Sequence, residues 1–355
     1  MNQATTCARR PVRWTVVLAF ALVYLSWGTT YLAIRKGVEA FPPAIFGGSR
    51  VACAGLILLL YLALRGQSLR LPWRDFLWIA AMGILFFVGG NGLITYAEKS
   101  VTSGVASVLA ATSPLWMAML EIIWPWGERL NLRGWAGLFA GLAGVLLLLA
   151  ERLHAPADFS GNAGALLVLG SALSWAAGSF MVRHRRQKIA HLTGAAYQMF
   201  VGGGSLLVIG LCLGEGRQLA AEQFTPTAVY SFFHLLIIGS LVGFVAYNWL
   251  LGHVSSTMAG TYAYVNPVVA IFAGWLINNE AITFWIVGGM AVILAGVALV
   301  RGGTARAGAA PESSRQRPAS DQGPLASNGA ALVLSSRARD ATDLLIVPVC
   351  NGSQK

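Results

Sequence analysis

Runs of about 20 consecutive apolar residues recur along this chain from Trp14 to Val300. At 1.5 Å of helical rise per residue, each run is long enough to cross the roughly 30 Å hydrocarbon core of a bilayer. Charged residues make up only 11% of the 355 residues, whereas a soluble domain carries about 25%. These features exclude a water-soluble enzyme and predict an all-α membrane protein that crosses the bilayer many times.

Ten apolar runs can be delimited, and we predict ten transmembrane helices. The first five spans are Trp14–Ile34, Ala44–Leu64, Phe76–Tyr96, Gly104–Trp124 and Leu132–Ala150. The second five are Ala163–Val182, Gly194–Leu213, Ala228–Leu251, Met258–Ile277 and Ile282–Val300.

Basic residues cluster on one side of these spans. That side holds twelve, namely Arg9, Arg10, Arg13, Arg65, Arg70, Arg74, Arg129, Arg133, Arg183, Arg185, Arg186 and Lys188. The other side holds five, namely Arg35, Lys36, Lys99, Arg152 and Arg217. Because cytoplasmic loops are enriched in Lys and Arg, both termini are predicted to be cytoplasmic. The same asymmetry explains the net charge of +11 without a nucleic-acid partner, which we do not expect.

The four cysteines are scattered and show neither a CxxC pair nor a Cys/His metal spacing. We therefore expect no disulfide framework, no metal site and no cofactor. Cys53 and Cys212 fall inside apolar runs and are predicted to be packing residues.

Short motifs return in the second half of the chain at a nearly constant offset, which indicates an internal repeat. The matching pairs are Trp27 and Trp175, offset by 148 residues, Pro114 and Pro267, offset by 153, and Glu128 and Glu280, offset by 152. Each repeat holds five spans, an odd number, so the second repeat must be inverted in the membrane. Inverted repeats are typical of secondary transporters, whose substrate binds between the two halves.

Several of these residues resemble EamA-type permeases of the drug/metabolite transporter superfamily. They are Trp27 to Tyr31, Arg50, Asn91-Gly92 and Tyr96-Ala97 in the first repeat, and Tyr262 to Pro267 with the Glu280-to-Gly296 spacing in the second. The resemblance implies ten helices around a central cavity. It also implies movement of small metabolites, commonly the export of amino acids or related compounds. The resemblance further implies that the protein crosses a bacterial inner membrane several times. Its expected partners are the lipid bilayer and a small-molecule substrate.

The chain is thus predicted to have four parts. They are a cytoplasmic segment at residues 1–13, a first EamA repeat at 14–150, a second EamA repeat at 163–300 and a tail at 302–355. The tail is rich in Ala, Gly, Ser, Pro and Arg and cannot bury a core, so we predict a disordered cytoplasmic segment.

Polar groups inside a span are costly and are functional candidates by default. Arg50 is six residues into span two, where it can either snorkel to the headgroups or meet a substrate carboxylate. Asn91 lies deep in span three among Gly89, Gly90 and Gly92. It can either line a cavity or tie two helices together by a hydrogen bond.

Two prolines mark corresponding places in the repeats. Pro114 and Pro267 each remove a helical hydrogen bond and are predicted to interrupt their helices. Paired interruptions point to a transporter's binding site, although an ordinary kink is the alternative.

Aromatic and amide side chains at mid-span suit a zwitterionic or amphipathic small molecule. The predicted substrate-binding residues are Trp27, Arg50, Asn91, Tyr96, Trp175, Gln198, Asn248, Tyr262 and Asn266. The candidates for a proton relay are Glu98, Glu121, His234 and Glu280. Glu98 and Glu280 fall at span ends, where we expect solvated carboxylates, and no proton coupling is predicted.

Glycines at helical spacing in spans five and ten predict close helix packing, either within one chain or between the subunits of a homodimer. They are Gly137, Gly141, Gly144, Gly288, Gly289 and Gly296.

Two other classes of function compete with a transporter. An intramembrane enzyme lacks support because the five aspartates lie outside the spans and no GxSxG or HExxH motif occurs. A channel lacks a ring of charges or a repeated filter sequence. A secondary transporter is therefore the favoured function, with the enzyme and the channel as alternatives.

Overall fold

The computed structural model describes residues 13–101, 103–125, 127, 130–149, 159–185, 189–269 and 284–303. Every regular element in these ranges is helical. Residues 1–12, most of the predicted tail, Glu128 and Glu280 lie outside the described residues.

Among the described residues, the first part of the chain forms seven helices. They are α1 Arg13–Gly28, α2 Thr30–Ala40, α3 Pro43–Leu64, α4 Trp73–Ala97, α5 Ser103–Ala110, α6 Ser113–Ile123 and α7 Leu132–Leu149.

Besides two short 3₁₀ helices at Glu215–Gln218 and Ala221–Gln223, the described residues of the second part form six more. They are α8 Phe159–His184, α9 His191–Cys212, α10 Pro226–His253, α11 Ser256–Gly260, α12 at residues 262–269 and α13 Phe284–Gly303.

Six helical stretches in the described part of the chain are long and apolar enough to cross a membrane. They are Trp14–Ala40, Pro43–Leu64, Trp73–Ala97, Ala163–His184, His191–Cys212 and Pro226–His253. Ser113–Ile123 and Val287–Val300 are shorter apolar stretches. The six long stretches coincide with predicted spans one to three and six to eight.

The first span extends beyond the predicted end at Ile34, because α2 continues to Ala40. Arg35 and Lys36 are therefore on a helix rather than in a loop. Both pair with Glu39, at 3.5 Å from Arg35 Nε and 3.0 Å from Lys36 Nζ. Ion pairs between side chains three and four residues apart stabilise a helix. The pairs with Glu39 therefore explain why α2 continues past Arg35 and Lys36.

The outer surface of the bundle is apolar. Trp14, Leu64 and Leu132 are 78%, 88% and 85% exposed, as expected of side chains that face lipid rather than water. Cys53 and Cys212 are exposed on this same surface. The prediction that they are packing residues is wrong, since an apolar run does not distinguish the lipid-facing side of a helix from its interior.

Glycines bring two pairs of helices into backbone contact. A Cβ atom at Gly137 of α7 would lie 2.6 Å from the backbone nitrogen of Val300 in α13. A Cβ atom at Gly48 of α3 would lie 2.4 Å from the backbone nitrogen of Leu207 in α9. The glycine face of span five is therefore occupied by span ten of the same chain.

Candidate substrate cavity

A cavity lies where helices of the first 150 residues meet those of residues 159–269. Its unfilled space, including the mouth, is about 720 Å³. Six of the nine predicted substrate-binding residues line it, namely Trp27, Arg50, Asn91, Trp175, Tyr262 and Asn266. The fold thus brings together residues that lie up to 239 positions apart, from Trp27 to Asn266.

Arg50 places a guanidinium in the wall of this cavity, with only 3% of the residue exposed. Its Nη2 donates a 2.9 Å hydrogen bond to Asn91 Oδ1, and its Nη1 lies 3.4 Å from Ser240 Oγ. Its Nε has no hydrogen-bond partner among the described residues. Burial excludes the snorkelling alternative, and the unpaired Nε–H leaves a donor for a ligand.

Asn91 belongs to a π-helical segment, Ile84–Gly92, in the middle of α4. The wider turn leaves backbone carbonyls without their usual partners, and side chains of α8 supply donors. Ser171 Oγ donates to the Gly90 carbonyl at 2.7 Å, and Ser174 Oγ donates to the Leu85 carbonyl at 2.8 Å. Such bulges in helices are frequent at functional sites.

A second π-helical segment, Leu235–Phe244, lies in α10. It begins 151 positions after Ile84, close to the offset between the sequence motifs. Trp27 Nε1 donates a 3.0 Å hydrogen bond to the Gly239 carbonyl in this segment. Each π segment is therefore bonded by a helix from the other part of the chain, and both segments contribute to the cavity wall.

Aromatic rings form one end of the cavity. The Trp27 ring centroid lies 5.3 Å from that of Trp175 and 4.6 Å from that of Tyr262, both nearly edge-on. Phe86 packs against Trp175 at 4.8 Å. Edge-to-face contacts at these distances fix the ring orientations in the cavity wall.

Asn266 is 2% exposed and lines the cavity from α12. Neither atom of its side-chain amide makes a hydrogen bond of good geometry among the described residues, although the Tyr31 hydroxyl lies next to it. A buried amide without such bonds costs free energy, so this side chain is a candidate ligand-binding group.

The interruption near Asn266 differs in position from the one expected at Pro267. The backbone from 262 to 269 is helical, and the break lies at Thr261, between α11 and α12. The Thr261 hydroxyl donates to the Met258 carbonyl at 2.8 Å and bonds the Tyr24 hydroxyl at 2.9 Å. The Thr261 hydroxyl competes with the backbone for the Met258 carbonyl, which explains why the break occurs before the proline.

Pro114 lies on the first turn of α6, next to a break between α5 and α6. Proline cannot donate to the carbonyl four residues earlier, which is that of Ala110. Ser113 Oγ donates to this carbonyl at 2.7 Å instead. Ala110 and Ser113 both line the cavity, so the interruption forms part of its wall.

A family model described as the EamA-like transporter family matches residues 14–150 and, a second time, residues 162–302. The chain belongs to the EamA-like transporter family. It is 36% identical over 270 residues to a protein of Escherichia coli (strain K12) named as the uncharacterized inner membrane transporter YedA, covering 74% of this chain and 83% of that protein.

Two further comparisons agree. The chain is 28% identical over 282 residues to the uncharacterized transporter YoaV of Bacillus subtilis, covering 79% of this chain and 95% of YoaV. A crystal structure of another protein matches with a TM-score of 0.66 at 21% identity, covering 82% of this chain and 98% of the other, which shows a likeness of fold. The resemblance derived from the sequence motifs is confirmed, and this is a multi-pass membrane protein.

Three predicted substrate-binding residues of this EamA-like protein do not line the cavity. Asn248 Nδ2 donates a 2.5 Å hydrogen bond to Gln198 Oε1, and the Gln198 Nε2 lies 3.5 Å from Met82 Sδ. The Tyr96 hydroxyl donates to Glu215 Oε1 at 2.5 Å. Each of these side chains contacts another helix or loop of the protein, so we interpret them as residues that hold helices together.

The four proton-relay candidates have different surroundings. Glu121 Oε2 lies 3.2 Å from His184 Nε2, and His234 Nε2 is hydrogen-bonded to the Thr29 hydroxyl at 3.0 Å. Glu98 is completely buried. The expectation of a solvated carboxylate there is wrong, because helix α2 and the residues after α4 cover the end of this span. Glu280 lies outside the described residues.

Proposed function

We propose that this EamA-like protein is a secondary active transporter that moves small carboxylate-bearing metabolites, exporting amino acids or related compounds by alternating access. The observation that carries the proposal is a cavity lined together by Arg50, aromatic rings and Asn266, in which the Arg50 Nε–H has no hydrogen-bond partner among the described residues. No cofactor or catalytic group enters the proposed cycle.

The proposed architecture has ten helices in two inverted five-helix repeats, with both termini in the cytoplasm. Packing of predicted span two on span seven, and of span five on span ten, supports this architecture because each pair joins equivalent helices. The two π-helical segments at equivalent positions support it as well. Halves related in this way can rock about a site between them.

The proposed substrate class follows from the chemistry of the wall. A guanidinium N–H and a neighbouring asparagine suit a carboxylate, because charge-assisted hydrogen bonds are stronger than neutral ones. The faces of Trp27 and Trp175 suit an ammonium group or an apolar side chain. An α-amino acid combines these groups in one small molecule.

Alternating access is supported by contacts at one end of the bundle. In the proposed orientation this is the cytoplasmic end, where Arg185 Nη2 lies 3.5 Å from Asp75 and Glu121 contacts His184. The Ser179 and Tyr247 hydroxyls are hydrogen-bonded at 2.7 Å, and the Tyr247 ring packs against Trp27. We propose that breaking these contacts opens the cavity to the cytoplasm and that the arrangement described is the state closed on that side.

Counterflow tests the proposal. Liposomes containing the purified protein are loaded with an unlabelled L-amino acid and diluted into the same labelled compound, for each of the twenty L-amino acids in turn. We expect saturable, transient accumulation of at least one compound, absent from protein-free liposomes. Linear, unsaturable flux would indicate a channel, and conversion to a new compound would indicate an enzyme. An absence of counterflow for all twenty would contradict the proposed substrate class.

Direction is tested in cells. Bacteria that overproduce the wild-type protein should release more of the counterflow substrate into the medium than bacteria that overproduce Arg50→Gln to the same level. Equal release would contradict the export function.

A further inference from the structure

Glu98 follows the last turn of α4, where its backbone N–H bonds the Ile94 carbonyl at 3.0 Å. It is completely buried, and neither carboxyl oxygen has a hydrogen-bond partner among the described residues. Arg35 Nη1 donates to the backbone carbonyl of Glu98 and so fixes the residue in place. A buried carboxylate without hydrogen bonds is costly, whereas the neutral acid is tolerated far better.

Glu215 provides a contrast at the same end of the bundle. It is also buried, yet its Oε2 accepts a 2.9 Å hydrogen bond from the Ile45 backbone N–H and its Oε1 accepts one from Tyr96. Those bonds give Glu215 a structural role, because they join the residues after α9 to α3 and α4. Glu98 has no comparable bonds among the described residues, so this end of the bundle contains one buried carboxylate with hydrogen-bond donors and one without them.

The charged groups around Glu98 come from two helices. Helix α2 contributes Arg35 and Tyr31, and α3 contributes Arg50, with both guanidinium groups in electrostatic range of the carboxylate. Helix α5 and residues 159–182 of α8, which pack against this end of α4, contain no titratable residue. On α4 itself, the nearest titratable group is Tyr96, which is bonded to Glu215.

Arg50 connects this carboxyl to the cavity, since its guanidinium both lines the cavity and interacts with Glu98. When Glu98 is ionised, it offsets the charge of Arg50 and repels an incoming carboxylate. When Glu98 is protonated, the full charge of Arg50 is available to a ligand. Binding of a proton and of an anionic group must then favour each other, by the reciprocity of linked equilibria.

We propose that Glu98 is the proton-binding group of the transport cycle and that a substrate carboxylate at Arg50 and a proton at Glu98 are carried together. This inference rests on the proposed function. The proton moves from water to a Glu98 oxygen when substrate binds and returns to water on the other side when substrate leaves. An accumulated metabolite therefore leaves the cell with a proton, and an inward proton gradient drives the reverse flux in vesicles. Burial raises the pKa of Glu98 above its ordinary value, while Arg35 and Arg50 act in the opposite direction.

The test uses the amino acid that shows counterflow in the wild-type liposomes. Potassium and valinomycin hold the membrane potential at zero while an inward proton gradient of one pH unit is imposed. One co-transported proton corresponds to an accumulation approaching about tenfold, because one pH unit is 1.36 kcal/mol. We expect this accumulation in the wild-type protein. Glu98→Gln, which mimics the protonated acid, should lose it and keep counterflow within about twofold.

Glu39→Gln is the matched control, because Glu39 is a half-exposed carboxylate on α2 that pairs with the same Arg35. It should accumulate substrate as the wild-type protein does. Gradient-driven accumulation by Glu98→Gln would overturn the proposal, and so would a folded Glu98→Gln protein without counterflow. If Glu98→Gln does not fold, Glu98→Asp should keep the coupling with a shifted pH profile, and an unshifted profile would overturn the proposal.

Failure of this inference is distinguishable from failure of the proposed function. Wild-type counterflow without any response to the proton gradient contradicts the role of Glu98 alone. Absence of wild-type counterflow contradicts the transport function on which that role depends.

Discussion

The Arg50 guanidinium is anchored to Asn91, with 2.9 Å between Nη2 and Oδ1, and this single hydrogen bond joins α3 to the π-helical segment of α4. The bond holds the guanidinium in the cavity wall, while Nε has no hydrogen-bond partner in the part of the chain that the structure describes. A charge that is both fixed and incompletely bonded is preorganised for an anionic ligand, because little further ordering is needed when the ligand binds.

Replacement of Arg50 should reduce substrate binding strongly. In Arg50→Lys the charge remains but the planar donor set is lost, and in Arg50→Gln the charge is lost as well. A hydrogen bond to a charged group contributes about 1.5–3 kcal/mol, so we expect roughly 10- to 100-fold weaker half-saturation in counterflow for Arg50→Gln. Arg65→Gln, at an exposed loop position, serves as the control and should match the wild-type protein. Equal half-saturation for Arg50→Gln and Arg65→Gln would remove Arg50 from the site.

Asn266 and Asn248 should respond differently to replacement by alanine. Asn266→Ala removes an amide that has no well-formed hydrogen bond to any described residue, so transport should fall several-fold while the melting temperature in detergent stays near that of the wild-type protein. Asn248→Ala removes the donor to Gln198 and leaves a buried amide oxygen unpaired. That change should cost about 1–3 kcal/mol of stability and lower the melting temperature, with less effect on flux per folded molecule. The reverse pattern would contradict the assignment of both residues.

Gly89 should tolerate no side chain. A Cβ atom there would lie 2.0 Å from Ser174 Oγ, so Gly89→Ala must displace the hydroxyl that donates to the Leu85 carbonyl. We expect a loss of about 1–3 kcal/mol, measured as a lower melting temperature. Gly204 in α9 is the control, because nothing lies within 4 Å of its added Cβ. Gly204→Ala should melt at or above the wild-type temperature, since alanine favours a helix. Equal melting temperatures for the Gly89→Ala and Gly204→Ala variants would mean that α8 does not pack as closely on Gly89 as the 2.0 Å distance implies.

Membrane topology can be tested with two exposed loop positions in a variant without native cysteines. Ser68 follows α3 and Gln218 follows α9, on opposite sides of the bundle. The distribution of basic residues predicts that Ser68 faces the cytoplasm. An impermeant maleimide added to intact cells should therefore label Gln218→Cys and spare Ser68→Cys until the cells are permeabilised. Labelling of Ser68→Cys alone would invert the proposed orientation.

The spans and most of the cavity residues could be predicted because they leave local signals. A run of apolar residues is itself the requirement for crossing a bilayer, and an arginine six residues inside such a run must be accommodated by the fold. Trp27 and Trp175 were identified by their repeated motif and mid-span position. These two rings do meet at the cavity.

Other features depend on tertiary contacts that no local pattern contains. The π-helical segments differ from an α-helix only in hydrogen bonds that span five residues instead of four, and the glycines at 89 and 90 predicted close packing or a cavity wall but no change of helix type. Gln198 and Asn248 were expected in the cavity because they are polar at membrane depth, but each satisfies the other. The sequence predicts a solvated Glu98 because this residue follows the span, whereas the packing of α2, α5 and α8 around this end of α4 buries it.

Protection of a cysteine in the cavity tests the central claim, that substrate occupies this space during transport. Ala110 lines the cavity at the end of α5, and it can be replaced by cysteine in the variant without native cysteines. A charged methanethiosulfonate reagent should abolish counterflow of Ala110→Cys, and saturating substrate should slow this inactivation several-fold. Ser68→Cys should keep its flux under the same treatment. Full flux after reagent treatment of Ala110→Cys, or inactivation at the same rate with and without substrate, would contradict the account.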